Sequence, residues 1–256
     1  MKGKLYLVPA PLDFGCDEVA PLQSVMPVGT LEVAGRLGHW VCENARSTRA
    51  YLKRVNDSHP LRQPIQALQI TELPREVHKK GDHGGGFDAR PLLAAALQGY
   101  DVGLVSEAGM PAIADPGSSV VRAAHELGLQ VVPLTGPMSL VLALAASGLN
   151  GQNFAFVGYV PQEPTERAKR IRELESLSLK SGQTQIFIET PYRNAALLTA
   201  LLQTLNGNTR LALSSGLTLA TAWSRSALVS TWKSRKDNPA ELSAAMALPT
   251  VFCLGR

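Results

Sequence analysis

The chain has 256 residues and a mass of 27.3 kDa; 45% are apolar and 18% charged, which supplies a sizeable core and excludes a disordered chain. The net charge of +4 is uneven, with 13 Lys/Arg against 14 Asp/Glu in residues 1–149 and 12 against 7 beyond, so the second portion carries +5 and suits an anionic partner. No apolar run reaches the roughly 18 residues of a membrane span; Met1-Lys2-Gly3-Lys4 meets Pro9 too soon for a secretory signal, and Cys16, Cys42 and Cys253 form neither a disulfide frame nor a zinc knuckle, so a cytoplasmic protein without a metal is expected.

In chain order, short apolar runs alternate with helical stretches. Leu5–Val8 and His39–Cys42 read as strands, followed by a helical run over Pro91–Gln98 and a buried strand over Val102–Val105. A helix over Ser118–Leu127 closes on Gly128, a strand follows at Leu129–Val132, and a third helix spans Ser139–Ala146. Nearly all-apolar strands interleaved with helices predict an α/β fold with a mostly parallel, doubly wound sheet in an N-terminal domain, residues 1–149. The turn-rich stretch Gly148 to Asn153 reads as a linker to a C-terminal α/β domain, residues 150–256. There, strands are expected at Phe154–Val157, Gln185–Ile188, Thr209–Leu213, Ala227–Trp232 and Thr250–Leu254. Helices are expected at Thr165–Leu177, Asn194–Leu205 and Pro239–Met246. Only one helix among the last three strands implies a mixed sheet. Lys79 to Gly86 reads as a flexible glycine-rich loop, with His78 and His83 on a segment able to close over a substrate.

The segment Ser106 to Gly117 sits between a buried strand and a helix, the position where open α/β sheets bind ligands. Gly109 allows close backbone approach, Pro111 and Pro116 stiffen the loop, and Asp115 offers hydrogen-bond acceptors; a plain tight connection is the structural alternative. Pro133 to Ser139 makes a second such turn, with Thr135 and Ser139 able to cap the next helix. Neither GxGxxG nor GxxxxGK[ST] is present, which argues against dinucleotide and triphosphate sites, and no GxSxG suggests a serine hydrolase. His39, His59, His78, His83 and His125 form no ligand set at metal spacing.

Pro9-x-Pro11, the Ser106–Gly117 loop, Pro133-x-x-Gly136-Pro137-x-Ser139, Ala145-x-Ser147-Gly148-Leu149, Phe156-x-Gly158-Tyr159-x-Pro161 and Ile186-Phe187-x-Glu189-Thr190-Pro191-x-Arg193 together resemble the tetrapyrrole methylase superfamily. Within it, the similarity from about Lys4 to Thr218 is greatest to the ribosomal RNA 2′-O-ribose (cytidine) methyltransferases of the small subunit. The resemblance implies a two-domain α/β enzyme, usually a homodimer, that binds S-adenosylmethionine in a cleft between its domains. It assigns Ala108, Gly109, Met110 and Ile113 to the methionine and ribose portions and Met138 and Ser139 to the cofactor's flank. Leu12, Glu189 and Leu217 complete the cofactor set.

The chain departs from that family where the RNA methyltransferases carry Glu-Asp-Thr-Arg and it has Glu43-Asn44-Ala45-Arg46. It also has Asp13-Phe14 for Gly-Asn, and Ser215-Gly216-Leu217-Thr218-Leu219 for Arg-Glu-Leu-Thr-Lys. A sulfonium methyl is already activated, so transfer needs positioning and, for a hydroxyl acceptor, a base. Glu43 is the expected base and Arg46 the expected anion holder, with a Glu43–Arg46 salt bridge at a helix start as the alternative. Arg167, Lys169 and Arg170, in a run that includes Arg172, would bind RNA phosphates or simply form a solvated face. The expected activity is therefore methylation of RNA, with ribosomal ribose 2′-hydroxyls first. A tetrapyrrole or other small acceptor, and a non-catalytic relative that binds the cofactor or RNA, are the alternatives.

Overall fold

The computed structural model describes residues 1–80, 82–234 and 239–256, excluding the side chains of residues 78–80 and 239. The chain forms two compact units: Met1–Gly15 with Val19–Met138, and Cys16–Glu18 with Ser139–Arg256.

In the first unit, β1 (Leu5–Leu7), β2 (His39–Cys42), β3 (Gln69–Glu72), β4 (Val102–Val105) and β5 (Val131–Pro133) form one sheet in the order β3-β2-β4-β1-β5. Every pairing is parallel, with Leu5 opposite both Val102 and Val131, and His39 opposite both Gln69 and Val102. The side-chain alternation of a strand separates two cores. Tyr6, Val8, Trp40 and Cys42 join α2 (Val28–Arg36) and α3 (Ala45–Asn56) through Leu31, Leu52 and Val55. Leu5, Val41 and Leu104 join α6 (Ser118–Glu126) through Val120 and Ala124. Helices on both faces make the sheet doubly wound, as expected. The run predicted over Pro91–Gln98 begins as a 3-10 turn, Arg90–Leu93, and continues as α5 (Ala94–Leu97). Short helices at Leu22–Val25 (α1) and Arg75–Lys80 (α4) complete this unit. Edge strand β3, Gln69-Ile70-Thr71-Glu72, carries no apolar pattern along the chain, being polar at three of its four positions and exposed at those three.

In the second unit, β6 (Phe154–Tyr159), β7 (Thr184–Glu189), β8 (Arg210–Ser215), β9 (Trp223–Leu228) and β10 (Thr250–Gly255) are ordered β6-β7-β10-β8-β9. Only β6 and β7 are parallel; the other pairings are antiparallel, so the sheet is mixed as predicted. Phe187 and Phe252 stack with ring centroids 5.7 Å apart at the centre of a core shared with α8 (Pro164–Ser181) and α9 (Pro191–Thr204).

Three expectations are corrected. The helix assigned to the first domain is α7 (Ser139–Ser147), and it packs across β8, β9 and β10, so the division of the chain falls before it rather than at residue 149. Its buried residues are Leu140, Ala143, Leu144 and Ser147, an i, i+3, i+4 stripe that needs this sheet for cover. The strand placed at Ala227–Trp232 ends at Leu228, because Val229–Ser234 turns into a helix (α10) that buries Val229 and Trp232. Consequently two helices, α10 and α11 (Pro239–Met246), lie between β9 and β10.

Candidate cofactor and acceptor site

Three connections leave the carboxyl ends of adjacent parallel strands β1, β4 and β5. Ala10 and Gly109 exchange backbone hydrogen bonds at 2.9 and 3.0 Å, which ties the first connection to the second. Gly109 has φ +70°, and a Cβ there would lie 3.2 Å from Leu12 Cδ2 and 3.6 Å from the Pro137 carbonyl. A Cβ on Gly136 would overlap Pro9 at 2.4 Å, so the third connection abuts the first. Thr30 Oγ1 donates to the Thr135 carbonyl at 2.7 Å and holds that turn from α2. Leu12, Gly109 and the Pro137 backbone thus face one another. Ala112 and Ala114 adopt left-handed φ of 64° and 65°, a conformation costing roughly 1–2 kcal/mol per residue and retained only where surrounding structure enforces it.

Ala108 and Met110 are half-buried beside Gly109, Ile113 is exposed on the same loop, and Met138 ends the first unit. The remaining cofactor assignments lie in the second unit. Ser139 is the first residue of α7, so it is helical rather than a cap, and Thr135 makes no side-chain capping bond among the described residues. Glu189 is buried at the end of β7, where Oε1 accepts from the Thr190 amide (2.7 Å) and ion-pairs with Arg193 Nη2 at 2.7 Å. Leu217 is half-buried between Gly216 and Thr218, both at left-handed φ (58° and 75°).

Glu43 follows β2 directly, and its Oε2 accepts from the Glu107 amide at 3.3 Å. Asp115 belongs to the same carboxylate group. Burial, reinforced by the negative charges of Glu43 and Glu107, pushes its carboxyl up to about 7. Along the sequence Asp115 offers only a hydrogen-bond acceptor, and nothing there marks Glu107 as a neighbour of Glu43. What brings them to Glu43 is the pairing of β2 with β4, a long-range fact. Arg46 is exposed on the first turn of α3, and no Glu43–Arg46 ion pair exists among the described residues, which removes the salt-bridge alternative.

Two of the departures from the family pattern have local structural explanations. Asn44 is the N-cap of α3, accepting from the Arg46 and Ser47 amides at 2.9 and 3.3 Å. Asn and Asp cap about equally well, so this exchange costs the helix little. Asp13 forms a two-pronged ion pair with Arg54 (3.0 and 2.9 Å) and accepts from the Ala20 amide at 3.0 Å.

In the glycine-rich segment, the side chains of His78, Lys79 and Lys80 lie outside what the structure describes, as does Gly81. Asp82, expected in a flexible loop, is instead buried. It accepts from the amides of Gly117 (2.8 Å) and Ser119 (2.9 Å) and from the hydroxyls of Ser118 (2.7 Å) and Ser119 (2.6 Å). Burial opposes its ionisation, but these donors outweigh it and hold the carboxyl below its ordinary value. His83 is exposed.

On α8 the cations do not share one stripe. Arg167 and Arg170 are three apart and neighbours on the helix, whereas Lys169 points elsewhere, with Arg172 beside it. Arg170 pairs with Glu173 at 3.3 Å, Arg167 is half-buried, and Lys169 and Arg172 are exposed. Among the described residues, no group of His, Cys, Asp and Glu could hold a metal ion, and no helix is long and apolar enough to cross a membrane.

Comparison with known proteins follows the same lines. A protein named "Ribosomal RNA small subunit methyltransferase I" from Mesorhizobium japonicum is 33% identical over 215 residues, which cover 84% of this chain and 63% of that protein. Proteins of the same name from Vibrio cholerae (36% over 137 residues; 54% and 46%) and Xylella fastidiosa (33% over 194 residues; 73% and 63%) are also similar. The chain thus spans less than two thirds of these relatives' length. In fold it is similar to uroporphyrin-III-C-methyltransferase from Thermus thermophilus, with a TM-score of 0.52, 20% identity, and coverage of 99% and 94%. A conserved hypothetical protein from Aeropyrum pernix K1 superposes with a TM-score of 0.59 at 16% identity, covering 100% and 86%. The family described as Tetrapyrrole (Corrin/Porphyrin) Methylases matches residues 35–225, and the chain, with its parallel first sheet, mixed second sheet and converging loops after β1 and β4, belongs to that family.

Proposed function

We propose that the protein is an S-adenosylmethionine-dependent methyltransferase that acts on RNA, with a ribose 2′-hydroxyl of ribosomal RNA as acceptor. The observation that carries this reading is the convergence of Leu12, Gly109 and Pro137 at the carboxyl ends of three adjacent parallel strands. The residues fit the cofactor. At Gly109 the missing Cβ leaves the backbone bare between the apolar Leu12 side chain and the Pro137 carbonyl, and Ser106 Oγ, buried nearby in sequence, has no hydrogen-bond partner among the described residues. Glycine-rich phosphate-binding loops are unnecessary, since this cofactor carries no phosphate.

Leu12, Ala108, Gly109, Met110, Ile113 and Met138 hold the cofactor from the first unit, and Ser139, Glu189 and Leu217 are assigned to it on the family resemblance. When bound, it supplies an activated methyl group. Glu43 accepts the acceptor hydroxyl's proton, with Asp115 and Glu107 setting the charge around it. Arg46 and the exposed Lys169 bind phosphate, the first as a planar guanidinium fork and the second as a compact charge. The names of the relatives support RNA as acceptor. The apolar exposed side of α7, with Val141 and Leu142, supports association of two copies.

Incubation with methyl-labelled cofactor and undermodified small-subunit RNA tests the reading. Label is expected in alkali-resistant dinucleotides, the signature of a 2′-O-methyl ribose. Label in a tetrapyrrole alone, or in neither acceptor, overturns it. Glu43→Gln should lower turnover at least 100-fold with cofactor affinity retained.

A further inference from the structure

The amino ends of β2 and β4 frame a cavity of about 450 Å³, at the opposite end of the first sheet from Gly109. Its volume lies within the roughly 300–1,000 Å³ of small-molecule sites. Arg36, His39, Arg62, Gln63, Tyr100 and Asp101 contribute its polar and aromatic walls. The Arg36 guanidinium lies 5.0 Å from the centre of the Tyr6 ring. Arg62 is fixed at its backbone, whose amide donates to the Gly35 carbonyl at 2.8 Å. Neither guanidinium forms an ion pair with a described residue. The His39 and Tyr100 rings meet with centroids 4.8 Å apart, and Tyr100 is 54% exposed. Asp101 is the one carboxylate of the wall, and its Oδ1 already accepts from the Lys4 amide at 2.9 Å.

The carboxyl end of α2 favours one cation, which accounts for Arg36. It does not account for a second guanidinium on a separate segment, or for an aromatic pair with an open ring. Two guanidinium forks match phosphate oxygens, and an exposed tyrosine ring offers a face on which a base can stack. We propose that this cavity is a nucleotide-binding site, with the phosphate held by Arg36 and Arg62 and the base against Tyr100. It stands apart from the methyltransferase reading, uses none of that site's residues, and is tested without cofactor or turnover.

Two probes distinguish the sources of the nucleotide: adenosine monophosphate by calorimetry, and a fluorescein-labelled single-stranded 12-mer ribo-oligonucleotide by anisotropy. Arg36→Gln with Arg62→Gln should weaken at least one probe tenfold or more and flatten the salt dependence of the single-stranded oligonucleotide by about 1.4 in log–log slope. Tyr100→Ala should weaken the same probe several-fold. An effect confined to the oligonucleotide identifies a strand of RNA; an effect on the monophosphate identifies a free nucleotide. Because Arg36 also covers Tyr6, the exposed Arg62→Gln alone is the folding-safe control and should weaken binding at least threefold. The proposal is overturned if the wild type binds neither probe, or if Arg62→Gln binds both as the wild type does.

Discussion

A side chain at Gly109 meets two obstacles together. The φ of +70° is strained for any L-residue with a branched Cβ, and the space a Cβ needs is already bordered by Leu12 and the Pro137 carbonyl. Gly109→Val should therefore cost about 1–3 kcal/mol of stability and weaken S-adenosylmethionine binding at least tenfold, read by denaturation and calorimetry. Asp115 makes a prediction of opposite character. Its folded carboxyl titrates near 7 while the unfolded one titrates near its ordinary 3.8, so between these values the folded protein binds more protons. Stability from this group is present at low pH and is lost as pH rises from about 4 to about 7. Asp115→Asn should abolish that slope and raise stability at pH 8 by on the order of 2 kcal/mol, measured by urea denaturation across pH. A pH-independent difference between the two proteins would contradict the assignment.

Among the elements, α6 shows how a distant residue sets a binding loop. Its N-cap position is Gly117, which has no side chain to offer, and Asp82 supplies the missing acceptor from 35 residues away. Asp82→Ala leaves the Gly117 and Ser119 amides without this partner in a buried place, which should cost about 2–3 kcal/mol. Because Gly117 ends the loop that carries Gly109, cofactor affinity should fall as well, whereas Asp82→Asn keeps part of both. The aspartate's contribution also weakens at acid pH, because its lowered pKa makes stability present above 3.8 and lost below it. Chain thermal melts and cofactor titrations at pH 7 separate the three proteins. Asn44 at the start of α3 illustrates the converse: a family position that looks altered in sequence retains its capping chemistry.

For the whole molecule, the placement of α7 is the consequential feature. Its nine residues are apolar on nearly every side, so periodicity cannot say which sheet it covers. The answer lies in β10, whose Gly255 accommodates Leu149 where a Cβ would sit 3.0 Å away. Leu144→Ala should destabilise the second unit by about 2–4 kcal/mol, and amide exchange should accelerate in β8 and β10 more than in β1 and β4. Equal acceleration in both sheets would contradict the division of the chain at Ser139.

Much of this organisation was legible along the chain. Buried strands such as His39–Cys42 and Val102–Val105 coincide with their apolar runs, since a parallel strand covered on both faces must be apolar throughout. The converging loops were legible too, through Gly109, Pro111 and Gly117, because backbone approach and rigidity are written in glycine and proline. Edge strand β3 was not, since an exposed strand needs no apolar pattern, and α10 was hidden because Ala227 to Trp232 suits either a strand or a helix until Trp232 finds its core. Local composition thus determined the fold class and the loops that a ligand can approach. Only the tertiary structure decided that Asp82 caps α6, that Asp115 shares a field with Glu43, and that Arg36 and Arg62 border one cavity, because charge–charge and hydrogen-bond energies depend on distances that strand pairing, not sequence separation, sets.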